Sequence, residues 1–394
     1  MPDPVPERLK VVVCEPYFTG SHRAWAEGLA ANSAHEVRLV THTGGFWKWR
    51  MQGSALTLAR QVEQLVEEWG RPDALLASDM VHLPALLGLA RDALADTAVA
   101  VYFHENQLTY PPQGGTAADE TYAMINWLSM AAADGVVFNS EYHRQDVLAA
   151  LPKLLRRFPD HRHTGLVDAV AQRTLVLPVG IDVERFRPPD CVSAKTEDRR
   201  PPVVLWNHRW EYDKAPADCF TALEAVAEAG VDFRLVVAGE SYQTVPAVFE
   251  RARVTFAEQI IWFGTASDDE YPQLLREADV VVSTAHHEFF GVAVVEAIAA
   301  GALPVLPHRL SYPELVPEPV DTYLYRDNAE LVDRLRWALS DPGGRCAAAA
   351  TARKHVDQFD WPRVAPRYDA FLSRLCAARA IAAPPTRRPR PIAR

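Results

Sequence analysis

Short apolar, β-branched runs alternate with longer amphipathic stretches along most of this chain. Val11 to Val13, Val37 to Val40, Ala74 to Ala77, Ala98 to Phe103, Val136 to Phe138 and Thr174 to Pro178 read as strands. Helix-length segments lie between them: Arg23 to Ala31, Ala55 to Trp69, Leu83 to Leu94, Asp119 to Ala133 and Glu141 to Leu151. Strands this short, with no polar face, predict a parallel sheet covered by helices on both sides. The pattern then breaks. Residues 187–202 are polar and rich in proline, which reads as a linker. Beyond it the alternation restarts. Val203 to Trp206, Phe233 to Ala238, Ile260 to Phe263, Val280 to Ser283 and Leu303 to Leu306 are the strand candidates. Ala215 to Glu228, Val245 to Phe256, Asp269 to Ala278 and Asn328 to Leu339 are the helices. The expectation is two doubly wound α/β domains, residues 1–188 and 203–358, with the linker at 189–202.

Length and composition agree with this. The 394 residues suffice for two domains, and 48% apolar with 23% charged residues is ordinary for a soluble globular protein. No run of about 18 apolar residues exists, so no membrane span is expected. The start has neither a basic n-region nor an apolar core, so a cytoplasmic protein is expected. Five scattered cysteines without a C-x-x-C pair make a disulfide framework or zinc site unexpected. No GxxxxGK[ST] or GxGxxG string occurs, which argues against an NTPase or a nicotinamide enzyme. The net charge of −10 argues against a general nucleic-acid coat. Local basic stretches remain, at Lys153 to His163 and in the tail from Arg387 to Arg394, whose simplest readings are a solvated face and a disordered end.

The candidate chemistry gathers where strands end. Glu288 and Glu296 stand eight positions apart, one in a polar loop after Val280 to Val282 and one inside an apolar helix from Val292. The backbone N–H groups of Phe290, Gly291 and Val292 at that helix start suit an anion or a sugar hydroxyl. Arg209 and Lys214 follow Val203 to Trp206 and offer a forked donor and a point charge for a diphosphate. In the first half, Gly20 and Ser21 open a helix after Val11 to Val13, Ser21 as a possible cap. His104, Glu105, Asn106 and Gln107 are four consecutive polar residues after Ala98 to Phe103, too many for a core. His104 can hold a sugar hydroxyl or a proton. Trp47, Lys48, Trp49 and Arg50 interleave aromatics with cations, a pattern that stacks bases and grips phosphates, or equally a strand that buries both tryptophans.

The Glu288/Glu296 motif, together with Arg209 and Lys214 five residues later, resembles the donor half of retaining GT-B glycosyltransferases of the family-4 type. Phe289 stands where that family has Gly. The strings TGSHRAW, GFWKWRMQGSA, YFHENQLTYP, VVFNSEYHR, LPVGID, LWNHRWEYDK and EFFGVAVVEA resemble, in order, the tRNA-queuosine alpha-mannosyltransferase family over residues 10–330. Thr19 replaces that family's usual Gly before Gly-Ser-His. The resemblance implies two Rossmann-like domains facing a cleft, acceptor-side first and donor-side second. A helix at 359–380 would cross back onto the first domain, and 381–394 would be a disordered basic tail. It implies a retaining, metal-independent transfer of mannose from GDP-mannose to queuosine in tRNA, with tRNA-Asp the expected acceptor and no cofactor. Arg209, Lys214, Glu288 and His104 would be catalytic. Gly20, Ser21, Phe290, Gly291, Val292 and Glu296 would help bind the donor. Trp47, Lys48, Trp49, Arg50, Glu105, Asn106 and Gln107 would bind the acceptor. The alternatives are a GT-B glycosyltransferase acting on a small metabolite or lipid head group, and a catalytically inactive tRNA-binding protein. The oligomeric state is left open.

Overall fold

The computed structural model describes residues 8–111, 119–188, 200–240 and 246–382. The chain divides into two compact units, one made of residues 1–180 and 361–394, the other of 181–360. In the first, strands β1 (Lys10–Phe18), β2 (Glu36–Thr43), β3 (Ala74–Ser78), β4 (Ala98–Phe103), β5 (Gly135–Phe138) and β6 (Thr174–Val176) form one sheet in the order β2-β1-β3-β4-β5-β6. Every pairing is parallel. Helices α1 (Gly20–Asn32), α2 (Trp47–Trp69), α3 (Leu83–Leu89), α4 (Glu120–Ala132), α5 (Glu141–Leu155) and α6 (Leu166–Ala171) connect them. All residues of β3, β4 and β5 are buried, as a sheet covered on both faces requires. The strand order reverses direction between β1 and β3. That is where an open α/β sheet places its ligand, beyond the carboxyl ends of the strands.

Three expectations are corrected here. The helix expected from Ala55 begins at Trp47, so the Trp47-to-Arg50 strip is helical and not a strand. The Leu83-to-Leu94 helix stops at Leu89. Ser21 does not cap α1: the helix starts at Gly20, Thr19 is its N-cap, and no side chain caps it.

Helix α14 (Trp361–Ala382) belongs to this first unit. Tyr368 Oη accepts a hydrogen bond from Trp25 Nε1 at 3.1 Å and donates to the Pro178 carbonyl at 3.1 Å. Asp369 accepts from Ser33 Oγ and from the Ala34 amide. Trp361 lies against Gly28 and Gly180, where an added Cβ would fall 2.2 Å and 2.4 Å from its indole. Both positions are glycine because the ring occupies the space a side chain would need.

The second unit repeats the plan. Strands β7 (Val203–Trp206), β8 (Arg234–Ala238), β9 (Ile260–Gly264), β10 (Val280–Val282), β11 (Leu303–Pro307) and β12 (Leu324–Tyr325) form a sheet in the order β12-β11-β10-β7-β8-β9. All pairings are again parallel. Helices α7 (Val183–Phe186), α8 (Pro216–Glu228), α9 (Ala247–Thr255), α10 (Glu270–Glu277), α11 (Val292–Ala299), α12 (Asn328–Ser340) and α13 (Pro342–Val356) complete it. Its switch point lies between β7 and β10. Residues 189–199 of the expected linker and 383–394 of the expected tail lie outside the described residues.

Candidate active site

In the second unit, two loops meet at the switch point: residues 207–214 after β7 and 283–291 after β10. Lys214 is their hinge pin. Its ammonium is buried and donates to the His287 carbonyl at 2.8 Å. It also lies 3.1 Å from Asp213 Oδ2 and 3.4 Å from Glu288 Oε2. Burial alone would lower the Lys214 pKa, but Glu288 and Asp213 outweigh it and raise it, so the ammonium stays charged. Burial would raise Glu288, but the Lys214 charge dominates and holds it at about 2. Glu288 also accepts from the amides of Phe289 and Phe290, at 3.1 and 3.4 Å. The expected anion-binding amides of this turn are therefore partly occupied by the protein's own carboxylate.

Gly291 caps α11 with φ +99°, a left-handed conformation that strains any side-chain-bearing residue. One turn into α11, half-buried Glu296 accepts from Tyr271 Oη at 2.9 Å. Burial raises its pKa, Tyr271 and Arg185 offset this only in part, and the carboxyl titrates at about 7. Asn207 Nδ2 donates to Tyr271 Oη at 3.1 Å and to the Ala293 carbonyl at 2.8 Å, tying β7 to α11. Asn207 Oδ1 and His208 Nε2 are buried and unpartnered among the described residues. Burial and the nearby Lys214 lower His208 to about 4, so it is neutral. Arg209 is partly exposed at 38% and lies 3.7 Å from Glu211. Arg209, Lys214, Glu288, Phe290, Gly291, Val292 and Glu296 thus all gather at the carboxyl edge of one sheet.

In the first unit, the ends of β1, β3 and β4 bring together a buried polar set. His22, in the first turn of α1, donates from Nδ1 to Glu15 Oε2 at 2.9 Å. Glu15 Oε1 accepts from the Tyr17 amide at 2.7 Å. Burial pulls the His22 pKa down, but the charge and hydrogen bond of Glu15 outweigh it and raise it to about 9. The His104 ring packs 4.2 Å from that of His22. Burial, with His22 and His143 nearby, drives His104 well below its ordinary value, so it is a neutral imidazole. Its Nε2 is unpartnered among the described residues. The His104 amide donates to Asp79 Oδ1 at 2.9 Å, and its carbonyl accepts from Asn139 Nδ2 at 2.9 Å. Burial pushes Asp79 up to about 8, only partly offset by His22 and the His104 amide.

Each of Glu15, His22 and His104 offers a ligand atom within 4.8 Å of the others, close enough to hold a metal ion. Both Glu15 oxygens and His22 Nδ1 are already hydrogen-bonded to each other or to backbone, which is the geometry of an ion pair.

Two of the acceptor-side candidates are turned into the fold. Asn106 is fully buried and turned inward: its Oδ1 accepts from the amides of Leu108 and Thr109, closing its own turn. Arg50 is buried, and its Nε donates to the Thr43 carbonyl at 3.0 Å. Neither presents its functional group outward. Glu105 and Gln107 stay half-buried at the loop, and Trp47, Lys48 and Trp49 are exposed. Gly20 and Ser21 are exposed at the start of α1. Glu15, His22, Asp79 and Tyr271 were not anticipated. A glutamate closing the apolar run Val11 to Cys14 was the one available signal.

Two parallel α/β units, matched by a glycosyltransferase family model and by glycosyltransferase structures, make this a glycosyltransferase of GT-B fold. Solved structures agree on the fold. Anabaena HepE in complex with UDP superimposes with a TM-score of 0.67 at 18% identity, covering 93% of this chain and 100% of that one. Sucrose-phosphate synthase from Thermosynechococcus elongatus gives 0.70 at 17%, covering 94% and 100%. Residues 192–355 match the family described as glycosyl transferases group 1. Residues 10–181 match the tRNA-queuosine alpha-mannosyltransferase N-terminal family. The Drosophila melanogaster tRNA-queuosine alpha-mannosyltransferase is 33% identical over 354 residues, 89% of this chain and 90% of that protein. A GDP-mannose-dependent alpha-(1-6)-phosphatidylinositol dimannoside mannosyltransferase of Mycobacterium tuberculosis is 26% identical over 349 residues, 86% of this chain and 81% of that one. The chain belongs to the tRNA-queuosine alpha-mannosyltransferase family, and it is a hexosyltransferase. No helix among the described residues is long and apolar enough to cross a membrane.

Proposed function

We propose that this protein transfers mannose from GDP-mannose to the cyclopentene ring of queuosine in tRNA, with tRNA-Asp the substrate, in the cytoplasm. The observation that carries this reading is the 33% identity that runs through both units, with the acceptor-side half matched separately. The donor is held by the second unit. Arg209 faces the diphosphate and stabilises charge as it leaves. Lys214 adds charge and fixes Glu288. Glu296 accepts from the nucleotide ribose. Glu288, Phe290, the amide at Gly291 and Val292 orient the sugar. In the first unit, Gly20 and Ser21 offer uncapped amides to a phosphate oxygen, and neutral His104 serves a sugar hydroxyl. Trp47, Lys48, Trp49, Glu105 and Gln107 meet the acceptor. The reaction retains anomeric configuration, forms no covalent intermediate and calls for no metal or cofactor. Transfer to a lipid head group is the second reading, favoured by the likeness to the mycobacterial mannosyltransferase.

The test is incubation with queuosine-containing tRNA, with and without GDP-mannose, followed by mass spectrometry of the released nucleosides. A hexose-sized gain on queuosine is expected. Arg209→Ala should lower turnover by orders of magnitude with the fold intact, because its guanidinium is partly exposed. No gain on queuosine, with transfer to a phosphoinositide instead, would support the second reading.

A further inference from the structure

The start of α2 carries rings that the core does not use. Phe46 is 84% exposed, yet its backbone is left-handed, at φ 51° and ψ 51°. A side-chain-bearing residue adopts this conformation only where its surroundings impose it. Here they do. The Phe46 carbonyl accepts from the amides of Trp49 and Arg50, at 2.9 and 3.1 Å. Arg50 ties the helix start to Thr43. Gly44 packs on Thr19, where an added Cβ would lie 2.5 Å from the threonine methyl. The turn is thus pinned on both sides, and the strained residue at its tip presents an aromatic ring to solvent with no packing in return.

Trp49, 64% exposed, follows on the first turn of α2. One turn further stands Gly53, where an added Cβ would touch the Trp49 indole at 3.4 Å. The indole therefore lies beside bare helix while most of it stays open to solvent. Trp47 is seated differently, with its ring 5.0 Å from Tyr122. Lys48 Nζ lies 5.5 Å from the Trp47 ring and 5.8 Å from that of Tyr122, so its charge is held beside this seated pair, between Phe46 and Trp49 in the chain. This surface is continuous with the polar set described above: Tyr17 packs against the cluster of Met51, Met80, Tyr122 and Ile125, and its ring meets His22 at 5.6 Å.

We propose that Phe46 and Trp49 are a stacking platform for unpaired RNA bases next to the modified nucleoside, one base per ring, with Lys48 on an intervening phosphate. The proposal rests on the tRNA reading of the function and deepens it. Exposed aromatic rings on one short segment with a lysine between them fit single-stranded nucleotides: each base has a π-face and each step one phosphate. Stacking on a ring releases no counterions, so the affinity lost on removing Phe46 or Trp49 should be the same at low and at high salt.

The test compares wild type with Phe46→Ala, Trp49→Ala, Gly53→Leu and Phe46→Gly. Each is assayed for tRNA binding by fluorescence anisotropy and for transfer to queuosine tRNA and to free queuosine nucleoside. Losing one ring should weaken tRNA binding roughly 5- to 150-fold, the range for one stacked base. The KM for tRNA should rise in both alanine variants, and in Phe46→Ala the turnover of the free nucleoside should hold. Gly53→Leu should weaken tRNA binding as well, because its side chain would cover part of the Trp49 indole that a base would stack on. Phe46→Gly is the most diagnostic variant, since it removes ring and strain together. It should slow amide hydrogen exchange at the start of α2 relative to wild type and bind tRNA more weakly. Binding and KM within twofold of wild type for both alanine variants would overturn the platform and leave the tRNA reading standing. A wild type that modifies neither tRNA nor free queuosine would overturn both.

Discussion

Lys214→Met removes the cation that two loops share. In the wild type, one ammonium answers the carboxylates of Glu288 and Asp213 and the carbonyl of His287 in a buried place. Without it, two acids face each other with no counter-charge. Truncating one member of a buried ion pair typically costs about 3–5 kcal/mol. The Glu288 pKa gives a second route to the size: a drop from 4.5 to about 2 corresponds to roughly 3 kcal/mol of native-state preference for the carboxylate. The sign follows. Glu288 is depressed in the folded state, so its contribution is present above pH 4.5 and lost as pH falls toward 2. Lys214→Met lacks that contribution at every pH. The gap between variant and wild type should therefore be widest near neutrality and should close through acid pH. In a two-unit chain a single melting temperature is ill-defined, so the local measurement is amide hydrogen exchange across β10 and α11, at pH-corrected rates, in stepped urea. Adding Glu288→Gln should recover part of the loss, and the double-mutant cycle reports the coupling. A cost under about 1 kcal/mol at neutral pH, or a gap that does not change with pH, would show that Lys214 is not the pin argued here. The result also separates two reasons for lost turnover, since a donor contact alone would leave the exchange pattern of β10 unmoved.

Glu296 titrates near 7 because burial raises it, so ribose binding to its carboxylate should strengthen as pH rises from 6 to 8; a flat KM for the sugar nucleotide over that range would refute it. As a group raised in the fold, it favours folding in its protonated form, and that contribution is lost as pH climbs through about 7. Tyr271→Phe removes the hydrogen bond to Glu296 and should move the midpoint of the KM profile above 7. Gly180→Ala would place a methyl about 2.4 Å from the Trp361 indole, and overpacking of this kind costs roughly 1–3 kcal/mol, read as faster exchange in α14.

The two-sheet plan was legible because buried parallel strands advertise themselves as uninterrupted apolar runs, and the alternation was visible on either side of residues 187–202. The positions of Arg209, Lys214, Glu288 and Glu296 followed from the same logic, since polar residues directly after such runs fall at the ligand edge of the sheet. What one sequence window does not display is whether a polar group there is already spoken for. Asn106 and Gln107 look alike as strand-end residues, yet Asn106 spends its side-chain oxygen on the amides of its own turn, while Gln107 is held through its backbone N–H, which donates to Asn126 Oδ1, 19 residues away. Tyr271 comes to Glu296 from α10, 25 residues earlier, and no local pattern announces it. Helix α2 shows the opposite error. Its aromatic, glycine-flanked start reads locally as a strand or loop, and non-local bonds, Arg50 to Thr43 and Trp47 on Tyr122, override that preference. Those same bonds hold Phe46 in its strained pose. The segment whose local signal was most misleading is therefore the one where tertiary contacts impose a conformation the residues would not choose, which is the condition under which an exposed ring is built to meet something outside the fold.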